Sequence, residues 1–210
     1  MAARGRFRYL DRMSASEDLP LGRSPELMSP VDTALLVIDV QQKLMPLVPG
    51  QRRIVWNIRR LIDGAEALGL SVLASEQYPQ GLGPTVPELA SRLKNVAAKQ
   101  AFSCAGCTEL MGRLGTEGRH KVLAVGIEAH VCVQQTVLDL LSADFRVYVA
   151  VDAVGARYDV DRDTALRRMD SAGATLTTTE AALFEWCGRS DRPEFKKISA
   201  LVREQSPPES

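Results

Sequence analysis

The chain has 210 residues, 45% of them hydrophobic and 25% charged, which suits one globular domain able to bury a real core. Twenty-six Lys and Arg balance twenty-six Asp and Glu, so charge gives no support to nucleic acid or a membrane surface as an obligatory partner. No apolar run approaches the ~20 residues of a membrane span, no secretory apolar core follows Met1, and four cysteines do not make a disulfide scaffold; a reducing, cytoplasmic setting is expected.

Residues 1–30 read as a flexible arm. Its Arg4, Arg6, Arg8 and Arg12 against Asp11 alone also fit a weak organelle-targeting segment, although Glu17 and Asp18 follow closely. The folded domain is expected over 31–205, with 206–210 a disordered tail. Thr33–Val40 is a continuous apolar run, as for a strand covered on both faces. Ile54, Ile58, Leu61, Ile62, Ala65 and Leu68 then mark one helical face, stopped by Gly69. Leu70–Ser75 is a second strand, and Tyr78–Pro84 a rigid loop rich in Gly and Pro. A short helix over Pro87–Leu93 leads to a small strand at Asn95–Ala98.

Thr108–Leu114 reads as helix and Lys121–Ile127 as another buried strand. A helix over Val131–Ser142 turns Val133, Val137, Leu140 and Leu141 inward. Arg146–Val151 is a strand, Asp159–Ala172 a helix ending at Gly173, and Ala174–Thr177 the last strand. Thr177-x-x-Glu180 fits a capping box for a helix over Ala181–Cys187. Asp191-x-x-Glu194, with Pro193 in the first turn, is expected to start a final helix. Such alternation implies right-handed crossovers and an α/β fold, a three-layer α/β/α domain on a mainly parallel sheet.

The carboxyl ends of parallel strands converge on one edge, where ligands bind. Asp39, Lys99 and Cys132 all fall near such ends. Cys132 enters a helix, whose first turn favours a negative sulfur; it fits a nucleophile, or equally a buried core thiol. Asp39 fits a general base for that thiol or a loop-anchoring carboxylate. Lys99 fits a cation that lowers the thiol pKa, or a solvated surface lysine. His130 lies two residues before Cys132, a spacing at which side chains seldom face each other, so a rim or capping role is expected over a catalytic one. Cys104-x-x-Cys107 fits a redox pair or half a zinc site, but no second pair exists, and two ordinary thiols are expected. Gln41, Tyr78 and Phe102 are candidate substrate contacts. Thr136 is expected to bond back to a backbone carbonyl, Gly126 to allow a tight strand exit, and Asp152 to hold a strand-to-helix turn. Gly112-x-x-Gly115-x-x-Gly118 lacks the flanking strand and helix of a dinucleotide fingerprint.

Taken together, Leu36-Val37-Ile38-Asp39-Val40-Gln41, Lys99 followed by Phe102, Gly126-Ile127-Glu128-Ala129-His130-Val131-Cys132 with Thr136, and Val149-Ala150-Val151-Asp152-Ala153 resemble the isochorismatase-like cysteine hydrolases. The resemblance covers about Asp32 to Glu185. Glu76-Gln77-Tyr78-Pro79-Gln80-Gly81-Leu82-Gly83 is similar to the branch of isochorismatase domain-containing proteins. The resemblance implies that Asp39 deprotonates Cys132, that Lys99 stabilises the charged pair, and that the thiolate attacks an amide-like carbonyl to give a thioester, later hydrolysed. It also implies a cis peptide at Ile127–Glu128, turning the backbone N–H of Glu128, with that of Cys132, toward the oxyanion. Nicotinamidases carry an Asp-x-His metal motif after the second strand; Ser75–Gly83 has no histidine, so no metal and no cofactor are expected. Isochorismatases proper hydrolyse a vinyl ether, and Cys132 argues for acyl or C–N hydrolysis instead. The expectation is a small-molecule hydrolase that forms a homo-oligomer. A catalytically silent oligomeric relative and a Cys104/Cys107 redox protein are the alternatives.

Overall fold

The computed structural model describes residues 22–208. Six strands form one parallel sheet: β1 (Thr33–Ile38), β2 (Ser71–Gln77), β3 (Ala97–Lys99), β4 (Lys121–Ile127), β5 (Arg146–Gly155) and β6 (Thr175–Thr177), in the spatial order β3-β2-β1-β4-β5-β6. The chain winds outward from β1 through β2 to β3, then returns to β4 on β1's other side. The carboxyl ends of β1 and β4 therefore flank the point where the winding reverses, the place where such sheets bind ligands.

Every residue of β1 and of β4 is buried, as continuous apolar runs require in a sheet covered on both faces. Alternation divides the strands between two cores. Leu35, Val37, Leu123 and Val125 face the side packed by Ile58, Leu61 and Ile62 of α1 (Gln51–Leu68), Leu183 and Trp186 of α7 (Thr179–Cys187), and Ile198 of α8 (Phe195–Val202). Leu36, Ile38, Val122 and Ala124 face Leu110 and Leu114 of α4 (Thr108–Thr116), Val137 and Leu140 of α5 (Gln134–Ser142), and Met169 of α6 (Asp159–Ser171). The expected three-layer α/β/α architecture is the observed one. The remaining helices are single turns, α2 (Pro79–Leu82) and α3 (Pro87–Ala90).

Several boundaries differ from expectation. The flexible arm was drawn too long: Met28 is fully buried, its N–H donates to Glu185 Oε2 at 2.9 Å, and Lys121 Nζ donates to the Leu27 carbonyl at 2.7 Å. The arginines of the targeting reading lie outside the described residues, as do the last two residues of the tail. Thr177 still pairs with Ala150 in the sheet, so Thr178 caps α7 instead, accepting from Ala181 N at 3.3 Å. The last helix starts at Phe195, later than Asp191 and Pro193 suggested. The loop after β2 holds a helical turn, set by Pro79 at its first position, with Tyr78 before it in the left-handed region.

Candidate active site

Asp39 follows β1 with φ of 51°, a left-handed conformation that Asp tolerates better than most residues. Its N–H still extends the ladder, donating to the Ser75 carbonyl at 3.1 Å, while its carboxylate is 0% exposed. An ionised carboxylate so placed needs partners. Lys99 Nζ donates to Oδ2 at 2.7 Å, and Ser75 Oγ donates to Oδ1 at 2.7 Å. The Lys99 side chain is only 3% exposed, and its ammonium is also shared by Gln77 Oε1 at 2.8 Å, the Phe102 carbonyl at 2.8 Å and the Ala101 carbonyl at 3.3 Å. Three ammonium protons thus face four oxygens, which offsets the desolvation of the pair.

Cys132 arrives from β4. The chain leaves that strand through a widened π turn over Ala129–Val133, closed by Val133 N donating to the Glu128 carbonyl at 3.3 Å, before α5 begins. The Val131–Ser142 helix is thus two elements, and Cys132 sits in the wide turn ahead of the regular helix. Gly126 makes the approach of β4 to β1 possible: at φ of 122°, a Cβ there would stand 2.0 Å from the Ile38 carbonyl oxygen. The Cys132 thiol is buried and lies close enough to the Asp39 carboxylate to feel its charge. Burial pushes the thiol pKa up, the Asp39 carboxylate adds to the push, and Lys99 opposes it. Burial and the Asp39 charge thus work against the thiolate that the helix entrance was expected to favour.

The Ile127–Glu128 peptide bond is cis. Among the described residues the Glu128 amide donates to no backbone carbonyl, and the Glu128 carboxylate pairs with Arg157 Nε at 2.9 Å. Thr136 bonds back to the Cys132 carbonyl at 2.7 Å, as expected, and its hydroxyl also accepts from Cys104 N at 2.9 Å.

The substrate contacts fare less well. Gln41 is fully buried and spends its amide as a brace: Nε2 donates to the Gln77 and Gly83 carbonyls at 3.0 and 2.7 Å, and Oε1 accepts from Gln77 N at 2.9 Å. It has no free amide hydrogen for a substrate, which corrects that assignment. The Phe102 side chain is 52% exposed, and its contact with the site is through its carbonyl on Lys99. Tyr78 is 49% exposed, its ring lies against Gly81, and its N–H donates to the Lys99 carbonyl. His130 points its Nε2 toward Asp161 on α6, 3.9 Å away. Asp152 accepts from both Thr179 N and Oγ1 at 2.8 and 3.0 Å, so it holds the start of α7. All four cysteines are free thiols; Cys104 is buried, and its Sγ donates to Ser75 Oγ at 3.3 Å.

Two site residues escaped the sequence reading, Ser75 and Gln77; Cys104 was expected only as part of a loop lining the pocket, and its thiol bonds Ser75. The alternation of β2 carried the signal, since Ser75 and Gln77 share a face and pair in register with Ile38 and Lys99. Among the described residues, no group of three or more His, Cys, Asp or Glu side chains is placed to hold a metal ion, and no helix is long and apolar enough to cross a membrane.

Comparison with known proteins bears on the family and the fold. The isochorismatase domain family matches residues 33–181. Isochorismatase domain-containing protein 2 of Bos taurus is 39% identical over 178 residues, covering 85% of this chain and 86% of its own. A solved structure from Caenorhabditis elegans, described as MAR1 ribonuclease, is 41% identical with a TM-score of 0.80, over 87% of this chain and 95% of its own. YcaC from Pseudomonas aeruginosa, described with hexane-2,5-diol and covalent acrylamide, is 25% identical with a TM-score of 0.77, over 86% of this chain and 96% of its own.

Proposed function

The chain belongs to the isochorismatase domain family, and from that premise we propose that it is a metal-independent cysteine hydrolase of a small amide-like substrate, with Asp39, Lys99 and Cys132 as its catalytic residues. The observation that carries this reading is the thiol of Cys132 resting on a fully buried Asp39–Lys99 pair. A carboxylate paired with an ammonium and set beside a thiol is a base facing its proton donor.

In this mechanism the Cys132 sulfur attacks the carbonyl carbon as its proton passes to Asp39. The C–S bond forms and the carbonyl electron pair moves to oxygen, which the backbone N–H groups of Glu128 and Cys132 receive. Collapse of the adduct expels the amine, which takes the proton from Asp39, and leaves a thioester. Asp39 then takes a proton from water as it attacks that carbonyl, and the thiol leaves reprotonated with the carboxylic acid released. Lys99 holds the carboxylate in place throughout and keeps its charge balanced in the interior.

The covalent acrylamide described for the similar Pseudomonas structure lends support to a site here that reacts with electrophiles. The ribonuclease description of the Caenorhabditis structure raises phosphodiester cleavage instead. A phosphodiester brings a full negative charge that calls for a free cation, yet here Lys99 is enclosed by four oxygens and Arg157 pairs with Glu128, so the local charges favour a neutral amide. One observation favours a second reading, a catalytically silent site: the upward push on the Cys132 thiol. Ammonia release from a panel of small aliphatic and aromatic primary amides separates the two. The hydrolase reading expects release by wild type and none by Cys132→Ala; release that survives the substitution contradicts it.

A further inference from the structure

Asp39 reaches the thiol of Cys132 with only one of its supports explained by Lys99. The other comes from Ser75, whose hydroxyl carries a single proton and two lone pairs. Ser75 Oγ lies 2.7 Å from Asp39 Oδ1 and 3.3 Å from Cys104 Sγ. The Cys104 thiol is buried, and burial pushes its pKa up, so it stays protonated and serves as a donor. A donor on one side of a hydroxyl leaves the hydroxyl proton for the other side. The three groups therefore form a directed chain, Cys104 S–H to Ser75 O–H to the Asp39 carboxylate. The backbone repeats the link: Cys104 N–H donates to Thr136 Oγ1, which donates to the Cys132 carbonyl. Cys104 is thus tied to both the base and the turn that holds the nucleophile.

We propose that Ser75 and Cys104 are positioning residues for the Asp39–Cys132 proton transfer: Cys104 aims the Ser75 hydroxyl, and the aimed hydroxyl fixes the carboxylate so that one of its unused lone pairs faces the Cys132 thiol. This rests on the hydrolase reading of the site. Asp39 is faced by Lys99 from β3, Ser75 from β2, Cys132 from the π turn and Cys104 from the single turn over Cys104–Gly106. Of these only Ser75 and Lys99 give it a fixed donor. Without the hydroxyl, the carboxylate loses a hydrogen bond to one oxygen and is free to rotate away from the thiol, which removes it as an aimed base.

The test needs no substrate. The rate of alkylation at Cys132 by acrylamide, assigned by peptide mass, is followed from pH 6 to pH 9 in wild type, Ser75→Ala, Ser75→Thr, Cys104→Ala, Cys104→Ser and Asp39→Asn. Ser75→Ala is expected to lower the rate at neutral pH about tenfold, in line with loss of a hydrogen bond to a charged group, and to move the acidic limb upward. Ser75→Thr, which keeps the hydroxyl, restores the wild-type profile. Cys104→Ala gives a smaller loss with the same direction of shift, and Cys104→Ser, which keeps a donor, restores it. If Asp39→Asn slows labelling while Ser75→Ala and Cys104→Ala leave rate and profile unchanged, the positioning proposal fails and the hydrolase reading stands. If Asp39→Asn itself leaves labelling unchanged, that reading fails and the proposal with it.

Discussion

Two buried lysine–aspartate pairs sit at opposite edges of the same sheet. At the amino edge, Lys121 Nζ is 2.8 Å from Asp32 Oδ2; at the carboxyl edge, Lys99 Nζ is 2.7 Å from Asp39 Oδ2. The distances are alike and both lysine side chains are 3% exposed, but the carboxylates differ. Asp32 keeps 19% of its side chain in solvent and spends its second oxygen on Ser29 N and Thr33 Oγ1, which staples the segment before β1 to the sheet. Asp39 is closed to water, and the Cys132 thiol lies beside it within reach of its charge. An ion pair satisfied by backbone and hydroxyl donors is a fastener. Among the described residues, the pair at the winding reversal has a buried thiol beside it, which is what the proposed hydrolase would use as its nucleophile.

The largest effect expected separates the pairs by function. Asp39→Asn or Cys132→Ala should lower turnover about a thousandfold or more while the fold persists, read by activity beside circular dichroism. Asp32→Asn should leave turnover per folded molecule unchanged. Lys99→Met comes next, since it strands a carboxylate with no route to water; a loss of about 3–5 kcal/mol in denaturant melts is expected, together with loss of activity. Lys121→Met should cost about 2 kcal/mol, because Asp32 regains hydration at its exposed side. Equal losses for the two lysines would erase the distinction drawn here.

The smallest effect is confined to acid. Burial works to raise the Asp32 pKa, but hydrogen bonds from Lys121, Thr33 and Ser29 hold it down to about 2, from an ordinary 3.8. A carboxylate depressed in the folded state adds stability above pH 3.8 and loses it as pH falls toward 2. That contribution is about 2 kcal/mol at most. Asp32→Asn should therefore flatten the acid limb of the stability curve between those limits, with little change in its shape near neutrality.

Asp39 was legible in the sequence because it follows a strand of continuous apolar pattern, whereas Lys99, after the short Ala97-Ala98, fitted a surface lysine as well until the family resemblance joined it to Asp39 and Cys132. What stayed hidden needed strand register. Ser75 and Gln77 become site residues only when β2 is laid beside β1 and β3, and Gln41 loses its place at the substrate once its amide meets carbonyls 36 and 42 positions away. Cys104 read as half of a C-x-x-C pair, yet its thiol turns toward Ser75. The amino-edge pair was missed altogether. Lys121 opens a buried strand and Asp32 precedes one, and neither position shows from the sequence that Leu27 and Met28 fold back over them. The π turn at Cys132 was also beyond reach, since apolar spacing marks the face of a helix and not the pitch of its first turn.

The most direct test of the central claim is the rate of Cys132 alkylation near neutral pH in wild type and Asp39→Asn. The Asp39 charge is one of the causes that push the thiol up. If Asp39 acted only as a nearby charge, Asn would relieve that push and Cys132 would label faster. If Asp39 is the base that takes the proton as sulfur attacks, Asn removes the acceptor and labelling slows. The account predicts slower labelling in Asp39→Asn across neutral pH, and faster labelling would contradict it.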